Sequence, residues 1–367
     1  MEQFGARWCG FLLHGALLLM FAASEVRAAC EPDAELDFIC GLEKPEDLAR
    51  IPESRWLVAS GFAPGAGLKL IDTSRRNARV WYTGATPSDV QLDRFPDCRE
   101  PPNAAIFNTQ GISLRAGAKG RHILYVTNHG GRESIELFTI DTRTEVPTLT
   151  WNGCVLMPNG TAANSVASYS DGTILATVLT HPGTTITDFV RGGATGGVYE
   201  WTPQSKSWRL LPGTQLPGNN GLETSRDDDA FYVVAFGWRS VLFYRRDLSS
   251  PARRVEMAGF MPDNIHWDGE RLLLAGMQYD EPACGGTRKI IAGKADDMRC
   301  HRGYSVAELE PRDFSVRLVA YAGPNASFNG VSAAVIINDE LWLGSYQAER
   351  VAVRRMASPT STAEVFR

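Results

Sequence analysis

Short apolar runs, rich in β-branched and aromatic side chains, recur along the chain from about residue 40 onward. They fall at 56–60, 123–127, 135–140, 174–179, 198–201, 231–235, 241–245, 272–275, 305–309 and 341–344. Clusters of Gly, Pro, Asn and Asp separate them, which is the pattern of short strands joined by tight turns. No long stretch carries a helical period, so the pattern predicts an all-β chain. A phrase repeats within it. A polar residue, usually Asn or Asp, stands before one apolar strand, a turn follows, and a second apolar strand completes the unit. The sequence 263–274, Asp-Asn-Ile-His-Trp-Asp-Gly-Glu-Arg-Leu-Leu-Leu, is one copy. Others start at Glu46-Asp47, Asn164 and Asn220.

Counting phrase heads gives six units, beginning near Asp47, Gly111, Asn164, Asn220, Asn264 and Asn329. Their spacing, roughly 45–65 residues, matches four-stranded propeller blades with insertions. A four-stranded sheet cannot bury both of its faces alone, whereas six stacked around an axis bury them all and leave few free edges. The expected fold is therefore a six-bladed β-propeller. Little sequence follows the last unit, so the N- and C-terminal strands are expected to share a blade and close the ring.

Composition narrows the class. The 367 residues are 44% apolar and 22% charged, and no shift in composition marks a domain boundary. Residues 29–367 are read as a single propeller. A net charge of −5 with no basic run argues against a nucleic-acid partner. At the N-terminus Arg7 precedes an apolar stretch, 11–23, interrupted by His14, and Val26-Arg27-Ala28 offers a cleavage site. This reads as a signal peptide, 1–28, cut after Ala28. The stretch is shorter than the roughly 20 residues of a membrane span. No stable membrane anchor is expected, and the chain is placed in the periplasm or outside the cell. Cys30, Cys40, Cys98, Cys154, Cys284 and Cys300 would remain, an even set in an oxidising compartment. Cys284 and Cys300 flank one insertion and are the first choice for a pair; the other four allow three connectivities.

If the phrase heads converge at one mouth of the channel, so do Glu46, Asp47, Asn164, Asn220, Asp263 and Asn264. The set is oxygen-only, which suits Ca²⁺ with its roughly six to eight oxygen ligands. Zinc would call for His or Cys. Three carboxylates held together would repel one another unless a cation sat among them. Any one head taken alone is also an ordinary turn residue.

In order and spacing, Glu46-Asp47-Leu48, Gly111-Ile112-Ser113, Val126-Thr127-Asn128-His129, Glu136-Leu137-Phe138, Asn164, Asn220-Gly221 and Asp263-Asn264-Ile265 resemble the motifs of the paraoxonases. Those are calcium-dependent arylesterases and lactonases, with wider kin among the gluconolactonases and strictosidine-synthase-like propellers. The resemblance implies a six-bladed propeller with two calcium ions in its channel. It implies that Glu46, Asn164, Asn220, Asp263 and Asn264 hold a catalytic ion, and that Asp47 and the carbonyl of Ile112 hold a deeper structural one. Two departures stand out. Ser165 replaces a family carboxylate at the structural ion. Gln110 replaces the first histidine of a family pair whose second member is matched by His129. Gln110 cannot act as a base, but it can orient water or donate to an oxyanion. His181 matches another family histidine. His266 is expected to alternate away from the site, and His122 and His301 read as surface residues.

Other motifs fail. The Gly-rich run 191–197 lacks the Lys-Ser/Thr ending of a phosphate loop, and no Gly-x-Ser-x-Gly elbow is present. The reading is a Ca²⁺-dependent hydrolase of small-molecule lactones or aryl esters. His129 or a carboxylate such as Glu46 would assist water. Loops 183–197 and 281–302 would shape the pocket, with Phe236, Trp238, Tyr279 and Phe328 as candidate walls. Two alternatives stand beside it: a gluconolactonase-type sugar lactonase, and a non-catalytic propeller that binds a ligand or partner.

Overall fold

The structure is a computed structural model, and it describes residues 30–356. The signal-peptide reading of 1–28 lies outside the described residues. Six antiparallel sheets of four strands each form a β-propeller. The innermost strands, in blade order, are Leu48–Arg50, Thr109–Arg115, Ala163–Ser168, Asn219–Thr224, Phe260–Asp268 and Val331–Ile337. In blade 6 the outermost strand is the N-terminal Asp37–Cys40. It pairs with the C-terminal Arg350–Arg355 in the register Asp37↔Val353 to Cys40↔Arg350, and so closes the ring.

The apolar runs read from the sequence are the second and third strands of the blades. Strands Trp56–Ala59, Ile174–Val178 and Ala230–Ala235 are buried at every position. That is why they appear as continuous apolar runs and not as alternating ones. The core is divided by blade interface. Trp56, Val58 and Leu70 of blade 1 pack on Ile112, Leu124 and Phe138 of blade 2. Equivalent clusters lie between the other neighbours around the ring. Trp151, Trp201 and Trp342 are fully buried in three of them. Each would leave a cavity on truncation to Ala, at a cost of about 3–5 kcal/mol.

Two insertions rise over one mouth of the channel. In blade 3 a short helix, Ile186–Val190, is started by Thr185 and Asp188 in a reciprocal capping box. In blade 5 the segment 280–303 carries two small hairpins and is tied by the Cys284–Cys300 disulfide. The Thr187 hydroxyl accepts from the Ala295 N–H at 2.8 Å and joins the two insertions. The remaining disulfides are Cys30–Cys40 and Cys98–Cys154. Three disulfides suit an oxidising environment. Among the described residues no helix is long and apolar enough to cross a membrane.

Candidate metal centre and channel

The phrase heads Glu46-Asp47 and Asn329 stand ahead of their strands, as the sequence suggested. In blades 2 to 5 the heads sit inside the innermost strand, at a break in register, and blade 6 has such a break two residues after Asn329. The breaks fall between Thr109 and Ile112, Ala163 and Val166, Asn219 and Leu222, Pro262 and Ile265, and Val331 and Ala333. A bulge leaves residues unpaired and re-aims their side chains. The unpaired pairs are Gln110-Gly111, Asn164-Ser165, Asn220-Gly221 and Asp263-Asn264, with Ser332 in blade 6. Gly111 and Gly221 let neighbouring bulges approach. A Cβ on Gly111 would lie 2.6 Å from the Asn164 carbonyl oxygen, and one on Gly221 would lie 2.4 Å from that of Asp263. Hydroxyls on or just past the second strands hold the heads: Ser60 Oγ accepts from Asp47 N at 2.9 Å, and Thr177 Oγ1 accepts from Ser165 N at 3.0 Å.

Glu46, Asn164, Asn220, Asp263 and Asn264 are all buried around the channel axis. Asn264 Nδ2 donates to Glu46 Oε1 at 3.0 Å, and Asn220 hydrogen-bonds Asp263. These contacts point the oxygens the other way. Glu46 Oε2, Asn164 Oδ1, Asn220 Oδ1 and Asn264 Oδ1 are buried and receive no hydrogen bond. Four acceptors from four blades, shut away from water with no donor, carry a desolvation cost that a cation among them would remove. Burial pushes the Glu46 carboxyl well above its usual range, and the charges of Asp263 and Asp47 add to this. Burial and Asp47 likewise push Asp263 up to about 7, against the Asn220 hydrogen bond. Among the described residues no three His, Cys, Asp or Glu side chains group as a metal cluster. This donor set is instead two carboxylates and three amides. Its chemistry fits a hard, oxygen-seeking ion.

Deeper in the channel the arrangement differs. Three N–H donors converge on Asp47: Leu48 N and His266 Nε2 reach Oδ1 at 2.8 and 2.7 Å, and Ile112 N reaches Oδ2 at 2.8 Å. Two residues after Asn264 and on the same face of the strand, His266 points inward and not away, because the bulge puts Asp263, not His266, out of phase. Its Nδ1 lies 3.7 Å from Glu223. Burial alone would lower the His266 pKa, but Asp47 and Glu223 outweigh it and push it up to about 10. Ser165 contributes a buried hydroxyl without a hydrogen-bond partner.

At the mouth, Glu46, Asn164, Asn220 and Asp263 open into a cavity of about 560 Å³ shared with Gln110 and His129. His129 Nδ1 is 2.7 Å from Glu133 Oε2, and His129 Nε2 is 3.0 Å from Gln110 Oε1. A doubly protonated ring donates to both; a neutral one needs the Gln110 amide turned to present its NH₂. Glu133 escaped the sequence reading because its only signal was a carboxylate four residues after His129. Phe62, Leu179, Ile186, Phe189, Phe236 and Met277 wall the cavity. Of the candidate walls only Phe236 lines it. Trp238 lies under Arg254, Tyr279 under Arg239, and Phe328 packs on Phe38. His181 is held by the Tyr199 hydroxyl at 3.2 Å. His122 is buried, contrary to its surface reading, and accepts from Gly117 N. His301 is half-buried and bonded to the Asn325 carbonyl.

No protein-family model matches the chain, and no curated protein matches it. Solved structures do. A luciferin-regenerating enzyme aligns at 14% identity over 90% of this chain and 98% of that one, with a TM-score of 0.52. A PQQ-bound aldose sugar dehydrogenase from Streptomyces coelicolor aligns at 12% identity over 89% and 100%, with a TM-score of 0.47. At such identities the likeness is one of fold: the chain is a six-bladed propeller.

Proposed function

We propose that this chain is a calcium-dependent hydrolase of apolar lactones or aryl esters. The observation that carries the reading is the set of four buried oxygens without donors, on Glu46, Asn164, Asn220 and Asn264. With Asp263 they would hold one Ca²⁺, which when bound supplies Lewis-acid polarisation of the substrate carbonyl. The sequence resemblance to paraoxonases points to the same five residues. The cavity walls favour an ester or lactone with an apolar body over a sugar lactone, because aromatic and thioether surface satisfies no hydroxyl groups. The donors around Asp47 favour one ion over two: its carboxylate is already bonded by three N–H groups, and Ser165 offers no charge.

His129 is the proton acceptor in this reading. Glu133 holds Nδ1–H, and Nε2, freed when the Gln110 amide swings from it to the water, takes a proton from the attacking water and returns it to the leaving oxygen. Gln110 steadies the ring and takes no proton. Glu133→Gln should lower kcat by about tenfold to a hundredfold, as a weakened base does, with KM little changed. His129→Gln should cost at least as much. Full activity in His129→Gln would remove it from the mechanism.

The test is hydrolysis of phenyl acetate and of a panel of γ- and δ-lactones by the purified chain, with calcium and after chelation. Turnover that chelation abolishes and calcium restores is expected. Turnover indifferent to chelation would overturn the metal role. Calcium binding without turnover on any substrate would make the chain a binding propeller.

A further inference from the structure

The cavity holds one charged group that the hydrolytic reading does not use. Arg288 lies on the insertion tied by Cys284–Cys300 and lines the same cavity as Glu46 and Asp263. Its guanidinium has no carboxylate within ion-pair distance among the described residues. Nη2 donates to the Asp296 carbonyl at 3.1 Å, and the head lies 5.8 Å from the Phe189 ring centre. Nε is buried and bonds nothing.

The neighbouring carboxylates are committed elsewhere. Asp296 Oδ1 accepts from Met298 N at 2.7 Å, and its Oδ2 is 3.8 Å from Arg302, which is itself buried. Glu281 accepts from the backbone N–H groups of Ala283 and Gly303. Tyr346, which also lines the cavity, feels the charges of both Asp263 and Arg288, so cage and guanidinium flank one side chain. A half-buried arginine with unused donors, set among the apolar walls beside Phe189 and Met298, matches a planar, bidentate acceptor.

We infer that Arg288 is a specificity residue that receives a carboxylate on the substrate, so that the substrate class is an ester or lactone with an apolar body and an acidic group. This rests on the cage being the reacting centre. An apolar wall without the arginine would take uncharged esters equally well. With it, the uncharged analogue leaves a buried donor unpaired, and a site built to bond a polar group rejects the analogue that lacks it.

Two esters of equal acyl length test this: para-nitrophenyl hydrogen glutarate, which carries a free carboxylate, and para-nitrophenyl pentanoate, which does not. The kcat/KM ratio should favour the acidic ester by about tenfold or more in the parent chain, as a charge-assisted hydrogen bond would give. Arg288→Met should bring that ratio to near unity, and Arg288→Lys should keep part of it. Equal ratios in the parent and in Arg288→Met would overturn the assignment. A readout without turnover separates this from the hydrolase reading. Glutarate should raise the melting temperature of the calcium-loaded parent and not that of Arg288→Met. That shift, with neither ester cleaved, rejects the hydrolase reading and supports the arginine. No difference between parent and variant in either readout rejects the arginine.

Discussion

Asp263→Asn should reverse its effect on stability according to whether calcium is present. In saturating calcium the variant should melt below the parent, because the cage has lost one of its two carboxylates, and its calcium affinity should fall about a hundredfold, the upper end of what losing even an outer-shell partner costs. In chelator at pH 8 the variant should melt above the parent. The cause is the burial that pushes Asp263 from its ordinary value near 3.8 up to about 7. A carboxyl whose folded pKa is raised holds its proton more tightly folded than unfolded. Its stabilising effect is present at low pH and is lost as pH rises from about 4 through 7. The chelated parent should therefore lose melting temperature between pH 5 and pH 8, and calcium should abolish that loss. Glu46, raised by burial and by Asp263, contributes in the same direction. Thermal melts of both proteins at two pH values, with calcium and with chelator, check all four signs. A calcium-independent melt at pH 8 would remove the cage from the account.

His266→Ala should be the most damaging single change along the channel axis. The imidazole donates to Asp47, which is fully buried, and stands near Glu223, itself 13% exposed. Removing it leaves two shielded carboxylates facing each other without a cation, the situation that typically costs about 3–5 kcal/mol. His266 is 17% exposed, which places the effect toward the lower end. Chemical denaturation of the chelated chain measures it. The same protein tests the number of ions. The parent should bind one calcium by titration calorimetry, since the Leu48, Ile112 and His266 donors already serve Asp47. Two calcium ions in the parent, with His266→Ala no less stable, would instead place a metal at Asp47.

How much of this was legible depends on the residue. The six units, the shared closing blade and the Cys284–Cys300 pair follow from chain-local features: apolar runs between turn signals, the residues left before the first unit and after the last, and two cysteines flanking one insertion. The cage residues were also visible, because polar side chains beside apolar strands break the pattern. His266 was misread for a specific reason. Alternation counted from Asp263 points it away, but the bulge between Pro262 and Ile265 puts Asp263 out of phase, and His266 shares the inward face of Asn264 two residues before it. Glu133 and Arg288 carried no distinctive spacing. Their places beside His129 and in the cavity come from a turn after one strand of blade 2 and from an insertion folded back over the mouth.

The all-β class, the blade count and the oxygen chemistry of the phrase heads can be read along the chain, because burial on both faces of each strand and the residue types at the heads are local features. Which atoms of those residues are left without donors, the convergence of an imidazole and backbone N–H groups on Asp47, and the opening of a guanidinium into the cavity of Glu46 and Asp263 emerge with the folded ring. Each of these depends on side chains from different blades meeting at the axis, and on bulges whose one-residue phase shifts leave no trace in a hydrophobic pattern.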